Sequence, residues 1–246
     1  MHTPRFYCQT LLAGLHTVAL PAEVTHHVNV LRLESGRQIV LFDGSGGEYA
    51  CQIRFEGKRV LADINGFTER EAELSGQITL VQGLAGGDKM DWIIEKAVEL
   101  GVSTIAPVAA RRSVLQLSGA RLEKRMQHWQ RIIQSASEQC GRNRLATLSA
   151  PAPLVGAMAS TSSSPSHLTL LCDPSATTSL SGCLADHAPL KAVTLLVGPE
   201  GGWDQDEVQI ALDKGAVAVN FGSRVLRTET AGLALITAVS TLCGWT

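Results

Sequence analysis

From residue 77 to the C-terminus, short apolar runs alternate with longer segments whose apolar residues recur every three or four positions. Residues 77–82, 104–108, 168–172, 193–197 and 216–221 have the length and content of buried strands. Between the first two, Met90, Ile93, Ile94, Ala97, Val98 and Leu100 keep helical spacing, with Asp88 placed to cap and Gly101 to stop the helix. Residues 120–140 repeat the pattern through Leu122, Met126, Trp129, Ile132, Ile133 and Ala136. Asp204-Gln205-Asp206-Glu207 is a capping-box sequence opening a helix that ends before Gly215, and residues 228–243 read as a last helix. Strand and helix in strict alternation predict a mainly parallel α/β sheet. Residues 157–166 are small and serine-rich and read as a loop.

The first ~70 residues have a different texture. Residues 38–43, 48–55 and 59–64 are short strands closed by glycine turns, which predicts a small β-barrel. The charged stretch 68–76 reads as a linker, so two domains are expected, 1–72 and 73–246. Hydrophobic residues at 45% and charged residues at 18% exclude global disorder. A formal charge of −2 excludes a protein that holds nucleic acid by bulk positive charge, though not a local basic patch. Aromatics at 4% leave no stacking platform of the RRM kind.

Cysteines stand at 8, 51, 140, 172, 183 and 243, without C-x-x-C or a neighbouring histidine at ligand spacing. No metal site and no disulfide scaffold are expected, and a reducing cytoplasm is the natural compartment. Cys140, Cys172 and Cys243 read as small buried hydrophobes. His26-His27 lacks ligand partners and reads as surface or barrel packing. Residues 11–20 are broken by Gly14, His16 and Thr17. Residues 230–246 are uncharged but short of a comfortable span, so a buried helix or one at a subunit interface is expected, not a membrane anchor.

Three features carry chemistry. Gly198-Pro199-Glu200-Gly201-Gly202 follows a buried strand and precedes a capped helix, where an open α/β sheet binds ligands. It is neither a P-loop nor G-x-G-x-x-G. Glu200 suits a ribose hydroxyl, an amino group or a cationic centre and not a phosphate. The alternative is a tight strand-to-helix turn. The second feature, residues 221–231, also joins a strand to a helix. Thr228 or Thr230 would cap that helix and Glu229 suits its dipole, but Arg224 and Arg227 are disfavoured at a positive helix end unless an anion or carboxylate partners them. The third is a charge bias. Residues 111–144 hold eight arginines and lysines against two glutamates, a net +6. That is either a solvated helix face or a phosphate-backbone surface.

The two glycine-containing loops, the second reading Gly222-Ser223-Arg224-Val225-Leu226-Arg227-Thr228-Glu229-Thr230-Ala231, resemble the C-terminal signature of SPOUT methyltransferases. Gly87-Asp88-Lys89-Met90-Asp91-Trp92, Arg112-Ser113, Glu138-Gln139-Cys140-Gly141-Arg142, Pro4-Arg5-Phe6 and Leu41-Phe42-Asp43-Gly44 narrow the resemblance to the RsmE family of 16S rRNA uridine-N3 methyltransferases. Ser223, Cys140 and Phe221 depart conservatively from the commoner residues. The resemblance implies a PUA-like barrel, a SPOUT domain with a deep trefoil knot, a homodimer, and action on a uridine of small-subunit rRNA. It implies S-adenosylmethionine held by Val197, Gly198, Pro199, Glu200, Gly201, Gly202, Phe221, Gly222, Ser223, Val225 and Leu226. Arg227 is then the candidate to stabilise the uridine anion, and Glu229 either orients Arg227 or takes the N3 proton. Arg5, Arg32, Lys89, Arg112, Arg125 and Arg142 are the candidate RNA contacts. Two rival readings stay open: the same fold acting on another RNA nucleotide, and a non-catalytic RNA-binding assembly factor.

Overall fold

The computed structural model describes residues 3–57, 59–159, 164–187 and 189–246. The chain divides into two compact units, Met1–Glu73 with Gln134–Leu145, and Leu74–Ile133 with Ala146–Thr246. The serine-rich loop expected at 157–166 lies partly outside the described residues.

In the first unit, β1 (Arg5–Tyr7), β2 (Thr17–Ala19), β3 (Gln38–Phe42), β4 (Glu48–Glu56) and β5 (Arg59–Thr68) form one sheet in the order β1-β3-β4-β5-β2. Among the described residues only the β1–β3 pair of this sheet is parallel. Period-two alternation puts Tyr49, Cys51 and Ile53 of β4 and Val60 and Ala62 of β5 into a shared core. A register shift at Ala50/Cys51 marks an irregularity of the kind that bends a strand. Helix α1 (Ala22–Val30) was not expected. Its β-branched and histidine residues favour strands, but Val24 and Val28, one turn apart, bury into the same core as the sheet. His26 and His27 are exposed on this helix.

Residues 134–145 belong to this unit through buried polar contacts. Arg142 is 3% exposed, and its guanidinium donates to both carboxylate oxygens of Glu73, at 3.0 and 2.6 Å. The Arg5 side chain is 6% exposed, paired with Glu48 and donating to Asn143 Oδ1 at 2.6 Å. Glu138 Oε1 accepts from the Tyr7 amide. Arg5 and Arg142 are therefore corrections to the expected RNA surface, since both spend their charge on internal carboxylates. Arg142→Ala leaves the Glu73 carboxylate without its bidentate partner and is expected to lower stability by about 3 kcal/mol. A shift in the urea midpoint measures it, and an unchanged midpoint would deny the pair a structural role.

In the second unit, β6 (Gln77–Gly83), β7 (Thr104–Val108), β8 (Thr147–Leu148), β9 (His167–Cys172), β10 (Ala192–Val197) and β11 (Val217–Val219) form an all-parallel sheet in the order β11-β9-β10-β6-β7-β8. Helices α2 (Lys89–Glu99), α3 (Gly119–Cys140, whose residues from 134 belong to the first unit), α4 (Leu154–Ala157), α5 (Leu180–Asp186), α6 (Gln205–Asp213) and α7 (Thr228–Leu242) connect or follow the strands. The central strands are buried along their length, which is why they read as unbroken apolar runs. Asp204 and Glu207 make the full capping box expected of them, and Gly215 takes φ +83° beyond the C-cap of α6. Asp88 sits at the N-cap of α2 but makes no side-chain cap bond. Residues 216–221 shrink to a three-residue β11, and α4 and α5 went unseen because they are short. Among the described residues no helix is long and apolar enough to cross a membrane.

Candidate functional site

The strand order creates a switch point. From β6 the chain moves outward to β7, whereas from β10 it crosses β9 to reach β11 on the other side. Ligands of open parallel sheets bind outside the carboxyl ends of strands at such a point. A cleft of about 600 Å³ opens there, lined by residues 172–174, most of the loop 197–203, residues 225–229, Lys89, Val208 and Ala231.

Close backbone approach builds this cleft. A Cβ on Gly83, the last residue of β6, would lie 2.4 Å from Pro199 Cδ and 2.5 Å from Pro199 N. A Cβ on Gly198 would lie 3.1 Å from both Gly202 C and Trp203 N. Gly202 is required for another reason: its φ is +68°, with open space around the missing Cβ. The fully buried Gln82 side chain bonds the three converging segments together. Its Nε2 donates to Thr228 Oγ1 at 2.8 Å and to Gly83 O at 3.0 Å, and Thr228 Oγ1 donates to Gly198 O at 2.6 Å. Thr228 thus does not cap α7. Arg227 holds the N-cap position without a side-chain cap bond. Gln82 and Gly83 were missed in the sequence, where the available signal was one amide side chain closing an otherwise apolar strand.

Three charged groups face one another in the cleft. Glu200 Oε1 accepts from Lys89 Nζ at 2.8 Å and from the Gly86 amide at 3.0 Å. Burial alone would raise the Glu200 carboxyl, but the lysine and the amide outweigh it and hold it below the usual carboxylate range. Glu229 Oε2 is buried, has no hydrogen-bond partner, and lies 4.0 Å from Lys89 Nζ. The cation beside Glu229 is thus Lys89. Arg227 is exposed and makes no ion pair among the described residues. Burial pushes the Cys172 thiol up to about 11, so it is no thiolate nucleophile at neutral pH.

Of the candidate cofactor contacts, Val197, Gly198, Pro199, Glu200, Gly202, Val225 and Leu226 line the cleft, together with Arg227 and Glu229. Gly201 does not; it packs on Arg112, whose Nη1 donates to Gly201 O at 3.2 Å. Phe221, Gly222 and Ser223 also fall outside. Beyond β11, Gly222 turns the chain at φ +79°, and the loop reaches the cleft at Val225. Phe221 instead borders an apolar depression with Trp92, Leu233, Ala234, Ala238 and Leu242. Lys89, expected on an RNA surface, is in the cleft. Arg125 leans on Asp91 at 3.4 Å, and Arg32 is exposed at φ +50°. Cys140, Cys172 and Cys243 are half-buried; the buried cysteines are Cys8, Cys51 and Cys183, and all six are free. Among the described residues no three His, Cys, Asp or Glu side chains gather as a metal site.

A family model for the RNA methyltransferase domain matches residues 72–240, and one for the RNA methyltransferase PUA domain matches residues 20–64. The chain is 30% identical over 229 residues to ribosomal RNA small subunit methyltransferase E of Bacillus subtilis, spanning 91% of this chain and 90% of that one. The chain belongs to the ribosomal RNA small subunit methyltransferase E family. A crystal structure of that enzyme from Neisseria gonorrhoeae, bound to S-adenosyl methionine, superposes with a TM-score of 0.89 at 38% identity, covering 98% of both chains. A Legionella pneumophila protein solved in complex with the same cofactor gives a TM-score of 0.88 at 32% identity, covering 99% of this chain and 98% of that one. These likenesses support the two-part α/β architecture, and the methyltransferase family model spans both glycine-containing loops.

Proposed function

We propose that this chain transfers a methyl group from S-adenosylmethionine to N3 of a specific uridine in 16S rRNA of the small ribosomal subunit. The observation that carries this reading is the switch-point cleft. It has a nucleoside-scale volume and three lining carboxylates, Asp173, Glu200 and Glu229, the last with a buried oxygen that accepts no hydrogen bond. Val197, Gly198, Pro199, Glu200, Gly202, Val225 and Leu226 would hold the cofactor, and carboxylates suit its positive centres. When bound, S-adenosylmethionine supplies a methyl group on a sulfonium.

Uridine N3 carries a proton between two carbonyls and is a weak nucleophile until the proton leaves. The resulting charge spreads onto O2 and O4. Arg227, exposed at the cleft without a competing ion pair among the described residues, would stabilise that charge. Glu229 lines the cleft and would take the departing proton, with Lys89, 4.0 Å from its Oε2, balancing the carboxylate. Because N3 lies on the pairing edge, the nucleotide enters unpaired or flipped out.

We read residues 1–72 as a PUA-like RNA-binding domain whose compact unit also takes in residues 134–145, the rest of 73–246 as the methyltransferase domain, and its two pinned loops as parts of a deep trefoil knot. A cytoplasmic location follows from the RNA substrate. The apolar depression around Phe221, with Trp92 44% and Leu242 57% exposed, supports a homodimer packed through α2 and α7. Two measurements test the reading. Mass-spectrometric mapping of rRNA from a deletion strain should lack one N3-methyluridine that the gene restores, and a complete methylation pattern rejects the function. Sedimentation should give twice the 26.2 kDa of the chain, and a monomer at micromolar concentration rejects the dimer.

A further inference from the structure

The charge bias of residues 111–144 is largely cancelled in the folded chain. Arg111 pairs with Asp204 and Asp206, Arg142 with Glu73, and Arg144 with Glu71. It survives on the outer face of α3. Arg121, Lys124, Arg125 and His128 stand at i, i+3, i+4 and i+7, which puts them on one stripe of the helix. Like charges at these spacings weaken a helix. Glu123 lies two positions from Arg121 and so off the stripe. Asp91 meets the stripe from one side, accepting from Trp129 Nε1 at 3.0 Å, contacting His128 Nε2 at 2.6 Å, and pairing with Arg125. Arg121 and Lys124 are exposed and have no carboxylate partner among the described residues. A depression of about 540 Å³ runs along the four side chains.

The geometry points to this stripe as the docking surface for the sugar–phosphate backbone of the RNA beside the target nucleotide. This inference rests on the methyltransferase reading above. Helix α2 connects the stripe to the cleft within its first turn: Lys89 reaches Glu200 in the cleft, and two residues on, Asp91 holds Arg125 and His128. RNA with one base in the cleft has its neighbouring phosphates close to this surface. A row of like charges costs the free protein helix stability, and a polyanion relieves that cost.

The test is equilibrium binding of a 16S rRNA transcript across a salt series. The probes are the double variant Arg121→Ala/Lys124→Ala, a second variant Arg121→Gln/Lys124→Gln that keeps longer side chains, and the control Lys191→Ala/Lys214→Ala, which removes two exposed lysines elsewhere. Each stripe variant should flatten the slope of log Kd against log salt by about 1.4, two contacts at ~0.7 each, and weaken binding roughly tenfold at low salt. Calorimetric affinity for S-adenosylmethionine and the single-turnover rate at saturating RNA should match wild type. A slope change below about 0.5, or one equal to the control's, overturns the assignment. If wild type binds the transcript but does not methylate small ribosomal subunits, the function reading fails, while the slopes still decide this surface.

Discussion

Arg227→Ala lowers the single-turnover rate of methyl transfer to small ribosomal subunits by about 10²–10³-fold and leaves S-adenosylmethionine affinity within about twofold of wild type. The magnitude is that of removing one preorganised donor aimed at developing charge. The split between rate and affinity follows from when the interaction strengthens. The neutral uridine gives a guanidinium little to hold, whereas the N3 anion offers charge on two oxygens, so the loss falls on the transition state. Arg227 sits at the N-cap of α7, where the helix dipole disfavours a cation, and it makes no ion pair among the described residues. It therefore meets the developing charge without first leaving another carboxylate. Arg227→Lys should rescue only in part, because a point charge cannot span two acceptors as a planar fork does. A near-normal rate for Arg227→Ala rejects the role. A selective loss of cofactor binding would make Arg227 a pocket residue instead.

Gly83→Ala is expected to weaken S-adenosylmethionine binding by about 10²-fold in calorimetry, with the far-ultraviolet spectrum retained. The added methyl would stand 2.4 Å from Pro199 Cδ and 2.5 Å from Pro199 N, and the second of these is backbone that cannot rotate away. The glycine loop must then back off from β6, stretching the Gln82–Thr228–Gly198 bonds as it goes. Overpacking of this kind costs about 1–3 kcal/mol, and the loop with the least burial absorbs the displacement. Gly202→Ala has a different cause, a left-handed φ with room for the methyl, and should cost about 1 kcal/mol of stability. Undiminished affinity in Gly83→Ala would show that the loop tolerates displacement and that contact with β6 does not shape the pocket.

Much of this molecule was legible in one dimension. The alternation of apolar runs and helical spacing announced the parallel sheet, because each strand buried on both faces must be apolar throughout. The capping box at Asp204 and the stop at Gly215 are local backbone chemistry and appeared where the residues said. The glycine loop at 198–202 and the arginine before α7 could be singled out from their positions after strands. Helix α1 escaped because its β-branched residues pointed the other way and its burial against the first sheet overrode them.

Pairings between residues far apart in the chain were decided only by the tertiary structure. Sequence counted Arg5, Lys89 and Arg142 as cations available to RNA; the fold spends them on Glu48, Glu200 and Glu73, because a buried or half-buried charge takes the carboxylate that topology brings to it. The same convergence made Gln82 and Thr228 into one bracket across 146 residues, and gave Glu229 a lysine neighbour. Residue types and their spacing determined which elements form and where a ligand loop could lie. Which charge faces which, and which glycine must stay bare, depended on the order in which six strands lie side by side.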